Sequence, residues 1–458
     1  MKPAMPTTER SPSTQLRKVV FGVALMKKLL VAAALLFVTA GGLFAAQSSA
    51  KPNIILIFGD DVGLGDVHCS GGPFKTPNFD SLAAGGTRFE YCYAMPLCEP
   101  SRCMLLTGRY PFRTGLVGNH SNPNLPFKTE IMIPAVMKKA GYVSACIGKW
   151  SRLSFDPGAW GFDEYMSTRD SGRYWSDQEK HGYVLNGQEK SILPGEYLPD
   201  SMHNYIVGFL ERNKDRPFLL YYPMEHIHVP ILPTPDSKPG ADKDQLYTDN
   251  VEYMDKLVGK LMAELDRLKL RENTLVIFTG DNGTAKHGVT ALSGVKPATV
   301  DGKSISGSKG SMLEGGSRVP LIVNWPGVTP AGKVKPDLID ISDFFSTFAE
   351  LGGAKLPPGV TLDSHSFAAQ IKGEKGTPRE WVYVELSGKS YVRNARYKLT
   401  NGGELFDLRE APFKEIRIAK NTTDAAAIAA RAELQKVLDQ HPAGPDDTSG
   451  ETAVKPAK

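Results

Sequence analysis

The residues best suited to chemistry lie in the stretch Cys98-Glu99-Pro100-Ser101-Arg102-Cys103-Met104-Leu105-Leu106-Thr107-Gly108. It reads as a loop turning into a helix: Pro100 suits a first turn, where no intrahelical donor is needed, and Gly108 suits the stop. Cys98 then sits just ahead of the helix, where free N–H groups and the dipole favour anions. Arg102, one turn further on, adds a permanent fork-shaped cation. A sulfur nucleophile and an anion cradle coincide, although a half-buried cysteine beside a helix cap would also account for Cys-x-Pro alone.

The elements that must position such residues follow from apolar periodicity. From Lys51 the chain alternates strand-like runs with helical patterns, as a mainly parallel α/β sheet does. Ile54–Phe58 predicts a strand running into Asp60-Asp61, and Tyr142–Ile147 one running into Gly148-Lys149-Trp150. Pro217–Tyr222 leads to His226-Ile227-His228-Val229-Pro230, and Thr274–Thr279 ends in Gly280-Asp281-Asn282-Gly283. Val319–Val323 is a further buried strand, after Lys309 and Glu314-Gly315-Gly316. Helices are predicted to close at Leu82–Gly85, to span Ile133–Ala140 and, with an amphipathic pattern, to span Asn250–Leu268. Asp-Asp or Asp-Asn-Gly after one strand is an ordinary turn. Four strands ending this way point instead to a single ligand-binding edge, because open α/β sheets bind ligands beyond the carboxyl ends of their strands.

The stretch from Cys98 to Gly108 resembles the signature of the type I sulfatases, C-x-P-S-R-x-x-L-L-T-G, at every fixed position. The resemblance extends over nearly all of the chain after residue 50. It implies an alkaline phosphatase-like α/β fold: a large, mainly parallel mixed sheet flanked by helices, with a smaller C-terminal α+β domain. It also implies a sulfuric ester hydrolase. In that family the cysteine is oxidised to formylglycine by a formylglycine-generating or an anaerobic sulfatase-maturating enzyme. The hydrated aldehyde is the nucleophile, and its second hydroxyl lets sulfate leave by collapse to the aldehyde. Asp60, Asp61, Asp281 and Asn282 resemble the family's calcium ligands, with position 98 completing the set for one Ca2+. Four oxygen donors suit a hard cation. Lys149 corresponds to the lysine of G-K-W-H, Lys309 to the lysine ahead of E-G-G, and His228 to the histidine of H-x-P. The resemblance implies that these three bind the sulfate oxygens, that His228 protonates the leaving alcohol, and that Arg102 neutralises the same anionic pocket and, with the metal, polarises the hydrated aldehyde.

The pattern departs at one position: Ser151 stands where G-K-W-H has its histidine. Serine cannot accept a proton at neutral pH, which leaves His226, His287 and His120 as candidate substitutes. Ser151 to Asp200 predicts a long irregular rim carrying Trp160, Phe162, Tyr165, Tyr174, Trp175 and Tyr183 with Arg152, Arg169 and Arg173. Aromatic faces with arginines suit a sulfated carbohydrate; a small sulfate ester is the other expected substrate. Two further functions compete. A phosphohydrolase of the same superfamily would carry Ser or Thr with two zinc ions, against which Cys98 stands. An inactive sulfatase-like glycan-binding protein is supported by Ser151 alone.

Composition narrows the setting. Hydrophobic content of 41% and charged content of 23% over 458 residues are ordinary for a globular protein. The net charge of +4 comes from residues 1–50, whose six Lys/Arg and one Glu leave the remainder at −1, giving no reason to expect nucleic-acid binding. Residues 1–50 read as a signal region. Met26-Lys27-Lys28 is basic, Leu29 to Val38 is apolar, and Ser48 and Ala50 fit small-x-small cleavage, so the mature chain is expected to start near Lys51 and to be periplasmic or secreted. A catalytic domain is expected over 51–360. After Pro357-Pro358-Gly359, a small antiparallel sheet (Trp381–Leu386, Ser390–Arg393, Tyr397–Thr400, Glu404–Asp407) and the helix Ala425–Gln440 form a C-terminal subdomain over 361–441, followed by a disordered tail over 442–458. The five cysteines are expected to be reduced. Nothing in the sequence sets an oligomeric state.

Overall fold

Asn53–Gly59 is buried at all seven positions, and its side chains alternate between two cores. Ile54, Leu56 and Phe58 enter one, Ile55 and Ile57 the other. A strand covered on both faces needs apolar residues throughout, and this one lies in the middle of the large sheet. Burying each such side chain contributes about 1.5–3 kcal/mol, so the central strand is fixed largely by its own composition.

The computed structural model describes residues 51–119, 129–151, 153–172, 174–176, 182–285 and 298–446, with Met1 and Ala4. The expected signal region, His120, His287, Arg152, Arg173 and the end of the tail lie outside the described residues. In chain order the strands are β1 Asn53–Gly59, β2 Thr87–Tyr93, β3 Val143–Lys149, β4 Glu164–Thr168, β5 Tyr183–Leu185, β6 Gln188–Lys190, β7 Phe218–Met224 and β8 Thr274–Gly280. There follow β9 Thr299–Val300, β10 Lys303–Ser304, β11 Arg318–Asn324, β12 Lys333–Asp340, β13 Val382–Leu386, β14 Lys389–Arg393, β15 Tyr397–Thr400, β16 Leu405–Asp407 and β17 Ile416–Ile418.

Ten of them form one sheet in the order β12-β2-β11-β8-β1-β7-β3-β4-β5-β6. Its centre, β8-β1-β7-β3-β4, is parallel throughout. β11 runs antiparallel between β8 and β2, and β5 and β6 add an antiparallel edge. The helices Leu198–Asn213 and Lys243–Arg267 contribute to the core that holds Ile55 and Ile57. Those at Cys98–Thr107, Ile133–Lys139 and Asp343–Gly352 contribute to the other. A five-stranded antiparallel sheet, β13 to β17 in sequence order, with the helix Ala425–Gln440, contributes to that same second core. This is the expected mixed, mainly parallel fold with a small C-terminal sheet.

The expectations above omit β12 and the helices Leu198–Asn213 and Asp343–Gly352. β12 begins exposed and contains Pro336, as an edge strand can. Asp343–Gly352 carries its polar residues Asp343, Ser346, Thr347 and Glu350 at helical spacing, but of these only Glu350 is exposed, so the stripe faces protein and not solvent. The segment expected to be an irregular rim is partly regular, and several of its aromatics belong to the core. It contains β4, β5 and β6, and Trp160, Phe162, Tyr165 and Tyr174 are buried. The five cysteines are all free, and only Cys69 is partly exposed.

Candidate active site

β1, β7 and β8 end in register, with Gly59 paired to Met224 on one side and to Gly280 on the other. Asp60-Asp61, Glu225 and Asp281-Asn282 therefore leave the sheet side by side, and Lys149 joins them as the last residue of β3. Gly148 makes this approach possible. Its φ is +127°, and a Cβ there would lie 2.1 Å from the Pro223 carbonyl oxygen, so only glycine fits. Asp61 turns the chain in the left-handed region (φ 62°), and its N–H donates to Asp281 Oδ1 at 3.0 Å.

The helix Cys98–Thr107 points its first turn at this edge. Cys98 is its first residue instead of preceding it, all ten residues are buried, and Gly108 closes it with φ 68° and an N–H to Met104 O. Cys98 Sγ lies 3.8 Å from Asp61 Oδ1. Burial, with the Asp281 carboxylate next, pushes the thiol far up, so an unmodified Cys98 stays protonated and is a poor nucleophile.

Three cations converge on the carboxylates. Arg102, fully buried, donates from Nε and Nη2 to Asp281 Oδ2 at 3.1 and 2.7 Å, and from Nη1 to the Lys149 carbonyl at 3.0 Å. Its guanidinium fork is thus spent on holding the site together. Lys149 Nζ donates to both Asp60 oxygens, at 2.9 and 2.8 Å, and Lys309 Nζ lies 2.6 Å from Asp61 Oδ1. Burial alone would raise Asp60, but Lys149, His228, Arg102 and Lys309 together hold it well below the usual carboxylate range.

Within this set Asp60, Asp61, Cys98 and His228 each offer a ligand atom, all within 4.8 Å of one another. Asp61 Oδ2 and Asn282 Oδ1 are buried with no hydrogen-bond partner. Leaving such an atom unsatisfied costs about 1–3 kcal/mol, which a bound hard cation would relieve. The donors therefore fit a metal ion. Asp60 and Asp281 are already engaged, by Lys149 and Ser171 and by Arg102 and Asp61 N–H, and would hold a cation only by sharing.

His228 is partly buried, and its Nδ1 lies 2.7 Å from the Val229 carbonyl, an atom that only accepts. That fixes Nδ1–H and leaves Nε2 free. Burial, above all, lowers its pKa, so the neutral ring presents a bare Nε2. Ser151 is buried at φ 65° with its hydroxyl unpartnered, and so leaves the place of the expected histidine without a base. His226 is buried and stacked on Tyr174, and burial lowers its pKa to about 4. It belongs to the aromatic core and is a poor candidate substitute.

Sequence patterns gave no signal for two neighbours. Ser171 Oγ donates to Asp60 Oδ2 at 2.5 Å. Glu225 accepts from Thr168 Oγ1, and burial pushes its carboxyl up to about 8. Both join the site through tertiary contacts that no local motif encodes. The tripeptide Asn282-Gly283-Thr284, a glycosylation pattern by sequence, is buried.

A large mixed sheet whose parallel strands end in such a cluster is the architecture of the alkaline phosphatase superfamily. Within it the chain belongs to the sulfatases: the Sulfatase family model matches residues 52–354. It is 33% identical over 401 residues to N-acetylgalactosamine-6-sulfatase of Canis lupus familiaris, covering 80% of this chain and 74% of the relative. Arylsulfatase A of Homo sapiens is 32% identical over 405 residues, covering 80% and 77%. Among solved structures, Ps i-CgsB in complex with k-i-k-neocarrahexaose superposes with a TM-score of 0.74 at 28% identity, covering 87% of this chain and 96% of that one. The protein is accordingly a sulfuric ester hydrolase of the type I sulfatase family.

Proposed function

We propose that this is an exported sulfatase that removes sulfate from a sulfated carbohydrate, using a formylglycine derived from Cys98 and a calcium ion. Asp60, Asp61, Asp281, Asn282 and position 98 would hold the ion. The observation that carries the reading is the pair of buried, unpartnered oxygens, Asp61 Oδ2 and Asn282 Oδ1, in the same cluster as Cys98 at a helix start. The two groups would supply a nucleophilic hydroxyl at position 98 and a Lewis acid that polarises it and the sulfate oxygens. The carbohydrate preference rests on relatives: one is named for N-acetylgalactosamine-6-sulfate chemistry, and one solved neighbour holds k-i-k-neocarrahexaose. Export rests on the basic and apolar pattern of residues 1–50.

The chain's own residues divide the remaining work. Lys149 and Lys309 carry fixed positive charge to the place where negative charge would build up on the sulfuryl oxygens. Arg102 keeps Asp281, Asp60 and the Lys149 backbone in register. His228 can donate from Nε2 only after taking up a proton there, and a bound anionic sulfate ester favours that form. The test is release of inorganic sulfate from a panel of sulfated oligosaccharides by the matured enzyme. Release from at least one of them, with phosphate monoesters untouched, is expected. Turnover of phosphate monoesters alone would contradict the reading.

A further inference from the structure

Lys309 stands on a loop whose two sides are held by different parts of the molecule. On the site side, Lys309 N–H donates to Thr284 O at 3.1 Å and Gly310 N–H to Pro96 O at 2.8 Å. These anchors lie two residues past Asn282 and two before Cys98. On the far side the loop is held by the small C-terminal sheet. Lys398, on β15 and only 2% exposed, donates from Nζ to the Met312 carbonyl at 2.8 Å. The same ammonium pairs with Glu415, whose Oε1 accepts the Glu314 N–H at 3.1 Å. Ser306 N–H donates to Pro412 O at 2.8 Å, and Ser317 Oγ and Tyr391 OH are 2.6 Å apart.

A buried lysine is costly to desolvate unless it is paired, and many apolar side chains would fill a strand position equally well. Lys398 does what an apolar residue cannot: it fixes a loop carbonyl three residues from Lys309 while holding the carboxylate that fixes Glu314. The loop is also tied at Ser306 to Pro412 and at buried Glu314 to Tyr93, Arg318 and Arg393, and Lys398 adds the anchor at Met312, between those two points.

We propose that Lys398 is a positioning residue for sulfate ester hydrolysis, supplied by the C-terminal sheet to hold the loop that presents Lys309. The proposal rests on the role given to Lys309 above.

A double-mutant cycle on the matured enzyme tests it, with kcat/KM for an aryl sulfate as the readout. Lys398→Met is expected to lower kcat/KM by about tenfold in the otherwise unaltered chain and by less than about twofold in a Lys309→Ala background, because the contact acts through Lys309. Equal losses in both backgrounds, or no loss in either, would overturn the proposal. If Lys309→Ala alone left kcat/KM intact, the role of Lys309 itself would fall, and that outcome is visible in the single variant. Should Lys398→Met fail to fold, the cycle is run with Lys398→Met/Glu415→Gln, which leaves no buried carboxylate unpaired. Failure of both to fold would make Lys398 part of the scaffold and end the proposal.

Discussion

Two of the buried clusters of carboxylates and arginines among the described residues differ in how completely they are closed. At the junction with the C-terminal region, Arg379 donates to both Asp343 oxygens at 2.6–2.9 Å. Asp343 also accepts from His365 N–H and Asp340 N–H. Asp340 takes Ser342 N–H and Tyr110 OH, and Asp363 takes Tyr110 N–H and Arg113. No oxygen of Asp340, Asp343 or Asp363 is left buried without a partner. At the strand ends the same residue types leave Asp61 Oδ2 and Asn282 Oδ1 unmet. A closed network of buried charge gives rigidity; an open one holds unsatisfied capacity ready for a ligand.

The comparison can be broken at either cluster. The largest effect should come from Asp61→Asn, which keeps a residue able to adopt φ 62° but removes a carboxylate charge proposed to hold the ion. Sulfate release should fall by about a thousandfold, a loss typical of removing key electrostatic stabilisation. Exhaustive chelation should also abolish activity and lower the melting temperature, because an ion bound only by the folded state adds to its stability. Zinc should not restore function at these oxygen donors. Full activity in metal-free enzyme, checked by elemental analysis, would remove the distinction between the two clusters.

His228→Ala should come next, and its effect should depend on the leaving group. A sugar hydroxyl leaves poorly without a proton, whereas a nitrophenolate needs none, so the sugar sulfate should lose about a hundredfold or more while the aryl sulfate loses much less. Equal losses would mean that His228 binds sulfate and donates no proton.

Arg379→Met should do the reverse of Asp61→Asn. Stranding buried Asp343 costs about 3–5 kcal/mol, read as a lower melting temperature, while the kcat of the protein that remains folded stays within about twofold. A specific loss of kcat would show that the closed cluster also serves the site.

A final effect is a pH dependence of stability, with activity untouched. Glu225 holds its proton up to about 8 in the folded chain but releases it near 4.5 when unfolded. The unfolded state therefore binds fewer protons between those values, and stability falls as pH rises through that window. Glu225→Gln removes the term. Its melting temperature relative to the unaltered chain should rise from pH 4 to pH 8.5 and level off above; a flat difference would contradict the assignment.

Much of this was legible in the sequence because the strands that matter are wholly buried. Ile54–Phe58, Tyr142–Ile147, Pro217–Tyr222 and Thr274–Thr279 are apolar runs that stop at polar residues, and β1, β3, β7 and β8 carry those residues to one edge. What was not legible depends on contacts between distant segments. Ser171 and Glu225 meet the site across strands, and Lys398 reads in sequence as an ordinary outward position of a short antiparallel strand. The aromatics of the expected rim misled for a related reason: composition does not say which way Trp160 or Phe162 faces, and both face the core. Ser151 departs from the motif in the sequence, and the fold encloses its hydroxyl without supplying a partner.

The central claim is that catalysis depends on an aldehyde at position 98, and one measurement addresses it directly. The chain is produced with and without a formylglycine-generating enzyme, and mass spectrometry of the peptide containing residue 98 is set against sulfate release from the same sample. The account predicts a peptide lighter by the difference between CH2SH and CHO, with turnover proportional to the converted fraction and absent in Cys98→Ala. Full turnover from a preparation in which every copy retains the cysteine thiol would contradict it.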